Sequence, residues 1–384
     1  MRLVFHGPPA GTGGEIVGTA TWEPVPAHER NRHILLVQAP ADIECAGYAA
    51  AIAEGATERD AVASQSPAAR FSISGVREIK SGHILAANPL TGTVRVLYRP
   101  ESRHNVLFAT EMCNSNCVMC SQPPKDHDDR EALIQRNLAL IDLIREHPLQ
   151  LTVTGGEPTL LGDGLVRMLS VLRERLPKTH VHVLTNGRLF SKASLVRKVA
   201  DVRHPDLTWA IPLYADVPWI HDHVVQSETA FVETLRGLRN LALWGQRAEI
   251  RIVLQAPTVG RLPQLAEFIQ RNLTFVEHIA FMGLEHTGFA VGNLPGLWID
   301  PADYQDELRR AVTLLTNAGM NVSIYNLQLC VLTRSLWPFA RRSISDWKNV
   351  YDRACDDCAV ARECCGFFQW NLKKQSRIFG PIAS

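Results

Sequence analysis

Cys113-Asn114-Ser115-Asn116-Cys117-Val118-Met119-Cys120 sets three thiols at a C-x3-C-x2-C spacing, and about thirty-five residues on stands Gly155-Gly156-Glu157-Pro158. A loop of this spacing can wrap three thiolates around three corners of a cubane 4Fe–4S cluster, leaving the fourth iron without a protein ligand. A cluster that only carries electrons is normally closed by four cysteines, so an open iron implies that a cofactor or substrate becomes the missing ligand. The competing reading is a zinc site that uses the same thiols and a histidine such as His104. Zinc gives no reason for the Gly-Gly-Glu-Pro segment.

Outward from the cysteines the chain alternates between strand and helix patterns. Asn105 to Thr110 is apolar and leads into the loop, Glu131 to His147 reads as a helix, and Leu149 to Thr154 reads as a strand ending at Gly155. The alternation continues through Leu165 to Leu176, His180 to Leu184, Ser191 to Val202, Leu207 to Tyr214, Ala230 to Trp244, Ala248 to Leu254, Leu262 to Asn272 and Val276 to Leu284, giving six strands. Repeated strand-helix units force parallel strands with right-handed crossovers. In such sheets the site lies where strands end, at the C-terminal edge. The cysteine loop follows the first strand, Gly155-Gly156-Glu157 the second, and Thr185-Asn186-Gly187 the third.

Residues 1 to 104 read differently. Short β-like runs, Ile34 to Val37, Phe71 to Ser74 and Val94 to Tyr98, are punctuated by Gly and Pro, and the Ala-rich stretch Ala49 to Ala69 is expected to be a helix and a polar connector. Two roles stay open for this region, an extension that pads the barrel and a peptide-docking module. Cys45 reads as a buried small hydrophobe.

A chain of 384 residues can bury a large core and is expected to hold two or three domains. Its 40 basic and 39 acidic residues nearly cancel, which predicts no broad field for nucleic acid or an anionic membrane. No apolar run approaches the roughly 18 residues needed to span a bilayer. Met1-Arg2-Leu3-Val4-Phe5-His6 has no signal-peptide core, so a soluble cytoplasmic protein is expected. The nine cysteines fall into Cys45, the Cys113/Cys117/Cys120 set, and Cys330/Cys355/Cys358/Cys364/Cys365. Their clustering favours metal ligation over a disulfide framework.

The cysteine triplet with Met119 before its last member, followed by Gly-Gly-Glu-Pro at a strand end, resembles the radical S-adenosylmethionine superfamily. The resemblance implies an α/β fold, a partial (β/α)6 barrel of the TIM type, with a cluster on Cys113, Cys117 and Cys120. It also implies that S-adenosylmethionine ligates the open iron through its amino and carboxylate groups. Gly155, Gly156, Glu157 and Pro158 would then hold the methionine moiety, the glycines by admitting a close approach and Glu157 by receiving the ammonium. Asn186, Tyr214 and Arg251 are the polar residues best placed for further contacts with the cofactor, with strand-end capping as the alternative for each. His221-Asp222 resembles a His-Asp pair found after the fourth strand in peptide-modifying relatives, against the plainer reading of a solvent-facing helix cap. The implied chemistry is reductive cleavage of the sulfonium to methionine and a 5'-deoxyadenosyl radical, which takes hydrogen from a substrate C–H bond. No catalytic residue beyond these is identified.

The C-terminal cysteines resemble the shorter, single-cluster extension of peptide-modifying radical enzymes, a twitch- or SPASM-like domain. That resemblance implies one auxiliary 4Fe–4S cluster on Cys330, Cys355, Cys358 and Cys364. Cys365 departs from the Cys-Gly-Gly-Phe-Phe expected here, and either Cys364 or Cys365 could be the ligand. A four-cysteine zinc knuckle is the alternative. CNSNCVMCSQPPKD at Cys113 to Asp126, FMGLEHTG at Phe281 to Gly288, SISDWK at Ser343 to Lys348 and the Cys355 to Phe368 run together resemble the C-type radical maturase of the His-Xaa-Ser system. The implied partners are a small protein or peptide with His-Xaa-Ser repeats, a second radical maturase, and an electron donor such as a flavodoxin or ferredoxin. The expected division is a β-rich domain at 1–104, the barrel at 105–300 and an auxiliary-cluster domain at 301–384. Two other readings remain open: a radical enzyme acting on a small metabolite, and a non-catalytic iron-sulfur or zinc protein.

Overall fold

The computed structural model describes residues 3–38, 45–55, 69–343 and 349–383. By its internal contacts the chain forms two compact units, residues 1–108, 131–151 and 171–179 in one and 109–130, 152–170 and 180–384 in the other. The first contains a seven-stranded sheet of β1 (Val4–His6), β2 (Ile16–Thr21), β3 (His33–Val37), β4 (Ala50–Glu54), β5 (Ala69–Ile73), β6 (Ile84–Asn88) and β7 (Thr93–Tyr98), in the order β1-β7-β6-β2-β3-β4-β5. From β2 to β5 the pairing is parallel, and the remaining pairs are antiparallel. The two outer strands approach each other, because a Cβ on Gly7, just after β1, would stand 1.8 Å from the Ser72 carbonyl oxygen of β5. The curled sheet encloses Phe5, Ile34, Ile52, Phe71, Leu85 and Val94, all buried.

Here the expected helix is corrected. Ala50–Glu54 is a strand paired with β3 and β5, and residues 56–68 lie outside the described residues. Alanine favours helix in isolation. In this sheet Ala50 packs in the core with Phe5, while Ala51 and Ala53 pack on a second cluster with Leu35, Tyr48 and the buried Cys45, and small side chains suit a strand covered on both faces. Packing overrides propensity.

The second sheet has eight strands in the order β15-β14-β13-β12-β11-β10-β9-β8. They are β8 (Asn105–Phe108), β9 (Gln150–Thr154), β10 (His180–Leu184), β11 (Leu207–Pro212), β12 (Arg247–Leu254), β13 (His278–Gly283), β14 (Val322–Tyr325) and β15 (Ala340–Arg341). From β10 to β15 every pair is parallel. The helices along this part of the chain are α1 (Arg130–Leu143), α2 (Asp163–Arg175), α3 (Ala193–Asp201), α4 (Pro218–Val225), α5 (Ala230–Leu243), α6 (Ala256–Val259), α7 (Leu262–Asn272), α8 (Phe289–Leu297) and α9 (Gln305–Asn317). The six strands expected from the sequence are all present, in an α/β architecture with a parallel sheet, a β-rich N-terminal region and a cysteine-rich C-terminus. Two more strands, β14 and β15, extend the sheet beyond residue 300, too short to show a period in the sequence.

The helices read as amphipathic because their apolar residues recur every three or four positions. Leu262, Leu265, Ala266 and Ile269 form the buried stripe of α7, and Leu308, Ala311, Val312 and Leu315 that of α9. Strand β12 carries the complementary rule: Ala248, Ile250, Ile252 and Leu254 are buried, while Arg247, Glu249, Arg251 and Val253 alternate with them on the opposite face.

Candidate functional site

The motifs that sequence placed at successive strand ends are joined by backbone hydrogen bonds. Ala109 N donates to Thr154 O at 2.7 Å, Gly156 N to Thr110 O at 2.7 Å, and Glu157 N to Met112 O at 2.8 Å. Gly155 has φ of +146°, and a Cβ there would stand 2.5 Å from Thr110 O; one on Gly156 would stand 2.0 Å from Met112 O. Both glycines line the cavity described below. What a Cβ would strike, however, is the backbone leading into the cysteine loop. The two glycines therefore admit the neighbouring chain while also lining the cavity.

The cysteine loop is pinned along its whole length. Asp129 accepts from Thr110 Oγ1 and from Glu111 N at its start. Val118 N donates to Val224 O at 3.0 Å and Asn116 N to Val225 O at 3.3 Å, both carbonyls being at the end of α4. Cys120 O accepts from Phe289 N at 2.8 Å, and Val118 O from Asn293 Nδ2 at 2.8 Å. Gly288, the last residue of FMGLEHTG, fits against this loop because a Cβ would come within 2.2 Å of Cys120 O. Burial pushes the Cys113 and Cys117 thiols up to about 12, with the charges of Glu157 and Cys120 acting in the same direction on Cys113, and those of Cys113 and Cys120 on Cys117. Burial also raises the Cys120 thiol.

Three converging, desolvated thiols form a donor set that stays protonated unless a cationic group is bound among them, and an iron-sulfur cluster is such a group. A zinc tetrahedron with bonds near 2.3 Å would hold its sulfurs about 3.8 Å apart. Among the described residues, Glu111, His127 and Asp129 form a grouping of three ligand-type side chains whose atoms lie within 4.8 Å of one another. Lys125 already neutralises Glu111 in that grouping, at 2.6 Å.

Glu157 is fully buried. Its Oε1 accepts from Thr159 N at 2.9 Å and from the hydroxyls of Thr159 and Thr185, and its Oε2 accepts from Asn186 N at 2.7 Å. Burial raises its carboxyl above the ordinary value, against these four donors. Glu157 therefore ties the second strand end to the third. Pro158 is buried at the start of the following 3-10 turn.

A cavity of about 340 Å3 lies at the strand ends, lined by Cys117, Met119 and Cys120, by Gly155 and Gly156, by Thr185 and Asn186, and by Tyr214, Arg251 and Met282. Asn186 reaches both sides of this wall: its Nδ2 donates to Asn114 Oδ1 at 2.6 Å while its own N–H is held by Glu157. Arg251 directs Nε and Nη2 at Met282 Sδ, at 3.3 and 3.0 Å. Tyr214 keeps its proton, raised well above the ordinary range by burial and then by the neighbouring thiols.

The sequence reading missed the polar groups beneath and beside this cavity. Glu249 accepts from His278 at 2.8 Å, lies 3.6 Å from His182, and sits 3.8 Å from Arg251. Burial opposes its ionisation, but the neighbouring His182 and His278, the second through its hydrogen bond, outweigh it and hold its carboxyl well below the usual range. The alternation of charged and apolar residues in β12 carried that signal. Arg188, directly after Thr185-Asn186-Gly187, was also missed: it is buried and donates Nη1 to Asn114 O at 2.6 Å and to Ser115 Oγ at 2.9 Å, and Nε to Glu233 at 2.6 Å. His221 is buried in α4, not solvent-facing, and accepts from Tyr214 N at 3.3 Å, while burial takes its imidazole down to about 4. Asp222 does cap a helix, accepting from Thr229 N and Phe231 N at the start of α5.

The C-terminal cysteines are brought together by short turns. Cys330 lies in the turn Leu329–Val331 and Cys355 in Arg353–Cys355, and a single bridge joins Val350 to Phe367. Burial and then neighbouring thiols, Cys364 among them, raise both Cys330 and Cys355. Leu329 N donates to Cys364 Sγ and Ile382 N to Cys358 Sγ, each at 3.4 Å. The Cys365 thiol lies 3.1 Å from Leu327 O and 3.3 Å from Gly366 O. The neighbouring Cys365 thiol lowers the Cys364 thiol, while Cys364 and burial together raise Cys365. SISDWK falls mostly outside the described residues, at 344–348.

At its C-terminal edge the parallel α/β sheet carries a three-thiol loop and a glycine-glycine-glutamate turn. Residues 107–253 match the family model described as the Radical SAM superfamily. The family uses S-adenosylmethionine and a 4Fe–4S cluster. Over 185 residues the chain is 23% identical to the uncharacterized protein MJ0907 of Methanocaldococcus jannaschii, covering 47% of this chain and 62% of that one. Among solved structures it resembles SuiB of Streptococcus suis bound to S-adenosylmethionine, with a TM-score of 0.46 and 17% identity over 58% of this chain and 50% of SuiB. It also resembles native anSMEcpe with bound AdoMet and a Cp18Cys peptide, with a TM-score of 0.43 and 18% identity over 57% of this chain and 62% of that one. The chain thus spans about half to two thirds of the length of these relatives. No described helix is long and apolar enough to cross a membrane.

Proposed function

We propose that this chain is a radical S-adenosylmethionine enzyme that modifies a ribosomally made peptide of the His-Xaa-Ser repeat type. The observation that carries the enzymatic reading is one cavity walled by the cysteine loop, Gly155, Gly156, Asn186, Tyr214 and Arg251. Cys113, Cys117 and Cys120 would hold the 4Fe–4S cluster, and the cofactor would lie against the two glycines with Asn186, Tyr214 and Arg251 around it. When bound, cluster and cofactor supply a 5'-deoxyadenosyl radical able to take hydrogen from an unactivated C–H bond. The chain contributes orientation and shelter: Glu157 fixes Asn186, the Tyr214 hydroxyl stays protonated, and Met119 and Leu284 close the apolar side of the wall.

The peptide reading rests on the four segments that resemble the His-Xaa-Ser maturase, one of which, FMGLEHTG, ends in the glycine seated on Cys120. We place the auxiliary cluster on Cys330, Cys355, Cys358 and Cys364, with Cys365 a protonated neighbour that donates and does not ligate. The proposed division of labour is 1–104 for substrate or padding, 105–300 for the radical site and 301–384 for the auxiliary cluster. A second radical maturase and a flavodoxin- or ferredoxin-like donor are the proposed partners.

The test is anaerobic incubation with S-adenosylmethionine, dithionite and a synthetic His-Xaa-Ser repeat peptide, followed by mass analysis. The expected result is deoxyadenosine together with a peptide lighter by about two mass units, one hydrogen taken by the deoxyadenosyl radical and the other leaving as a proton while its electron would pass to the auxiliary cluster. Deoxyadenosine that forms only when a small metabolite replaces the peptide would sink the peptide reading and leave the radical one standing.

A further inference from the structure

The segment Cys113 to Cys120 contains no charged side chain, yet it is to hold three thiolates on half-buried cysteines. Burial opposes those charges, and fully buried Glu157 adds a further anion beside Cys113. A cation close by would offset them, and Arg188 is placed to do so. It is 9% exposed, and its Nη1 bonds Asn114 O at 2.6 Å and Ser115 Oγ at 2.9 Å, both between the first two cysteines. Its Nε is held at 2.6 Å by Glu233 of α5. The helix comes this close because Gly237, one turn on, has no Cβ; one would stand 2.2 Å from Gly187 O.

From these contacts we propose that Arg188 and Glu233 are positioning residues that set the reduction potential of the three-cysteine cluster. The guanidinium holds the Asn114–Ser115 shoulder of the loop, and its charge favours the one-electron reduced cluster, which carries one more negative charge than the oxidised one. Glu233 orients the guanidinium and moderates that charge. The proposal rests on Cys113, Cys117 and Cys120 being the ligands.

The test uses the full chain, reconstituted anaerobically with iron and sulfide and titrated with dithionite while the reduced cluster is followed by electron paramagnetic resonance. The signal that changes on adding S-adenosylmethionine belongs to the three-cysteine site, which separates it from the auxiliary cluster. Arg188→Gln is expected to move the midpoint to more negative potential, Glu233→Gln to less negative potential, and Arg188→Lys to stay near the parent because the charge is kept. Should Arg188→Gln fail to take up iron, a shift to less negative potential in Glu233→Gln with Arg188→Lys near the parent still decides. Equal shifts in Arg188→Lys and Arg188→Gln, or no shift in Glu233→Gln, would show a purely structural bond and overturn the proposal. A parent protein that takes up no iron at this site would sink the ligand reading, and the clamp with it.

Discussion

The two cysteine sets are built in opposite ways. The first sits on a framework that exists without it: strand ends, the last turn of α4 and the first residue of α8 hold its backbone at Thr110, Met112, Asn116, Val118 and Cys120. The second is gathered from 3-10 turns and an isolated bridge between Val350 and Phe367, and its backbone bonds are those of local turns, such as Cys358 N to Cys355 O and Cys364 N to Val360 O. A site held by a sheet can be preorganised before its metal arrives. A site made of turns must draw its order from ligation, so binding and local folding become one event.

The largest test of that contrast is iron removal. In anaerobically prepared, iron-free protein, amide hydrogen exchange across residues 349–383 is expected to rise by roughly 100-fold, while strands β9 to β13 keep their protection. Equal loosening of Cys113 to Cys120 would break the comparison. Next come the glycines. Gly156→Ala places a Cβ 2.0 Å from Met112 O and is expected to cost about 4 kcal/mol and abolish iron uptake by the first set, measured by denaturant midpoint and iron assay. Gly366→Ala, at φ of +66° with its Cβ 2.7 Å from Val350 O, is expected to cost about 2 kcal/mol, because the turns of the second set can yield.

His221 sharpens the same contrast through pH. Its folded imidazole lies near 4, below the 6.5 of the free side chain, because burial disfavours the charged ring. Between those values the unfolded chain binds the extra proton, so the stabilisation is whole above pH 6.5 and is lost as pH falls toward 4. The loss approaches about 3 kcal/mol and is expected to shrink in His221→Gln when unfolding free energies are compared across that range. The smallest effect is Thr185→Val, which removes one hydroxyl bond from Glu157 and is expected to cost about 1 kcal/mol.

Much of the fold could be read in advance because strand and helix each impose a local period. The run Arg247 to Leu254 shows it: buried and lumenal residues alternate without a break. Ala50 to Glu54 could not be read that way, since alanine does not distinguish a helix from a strand covered on both faces. Strand β14 is four residues long, too short for any period to emerge. At the site, the spacing of the cysteines and the Gly-Gly-Glu turn were legible, and the chain does bring Gly155, Gly156, Asn186, Tyr214 and Arg251 to one cavity. The direction of Glu157 was not, because its four donors come from residues 159, 185 and 186 and are assembled only when two strand ends meet.

The sequence alone determined the chemistry available to this protein: which residues carry thiols, in what spacing, and at which strand ends. These are covalent and periodic properties, and folding cannot change them. Only the tertiary structure decided what each group faces. It set the two glycines against a neighbouring backbone, enclosed Glu157, brought Arg188 to the cysteine loop and set the Cys365 thiol against Leu327 O. Those outcomes depend on distances between residues far apart in the chain, and hydrogen bonds and burial act over ångströms of space, whatever the separation in sequence.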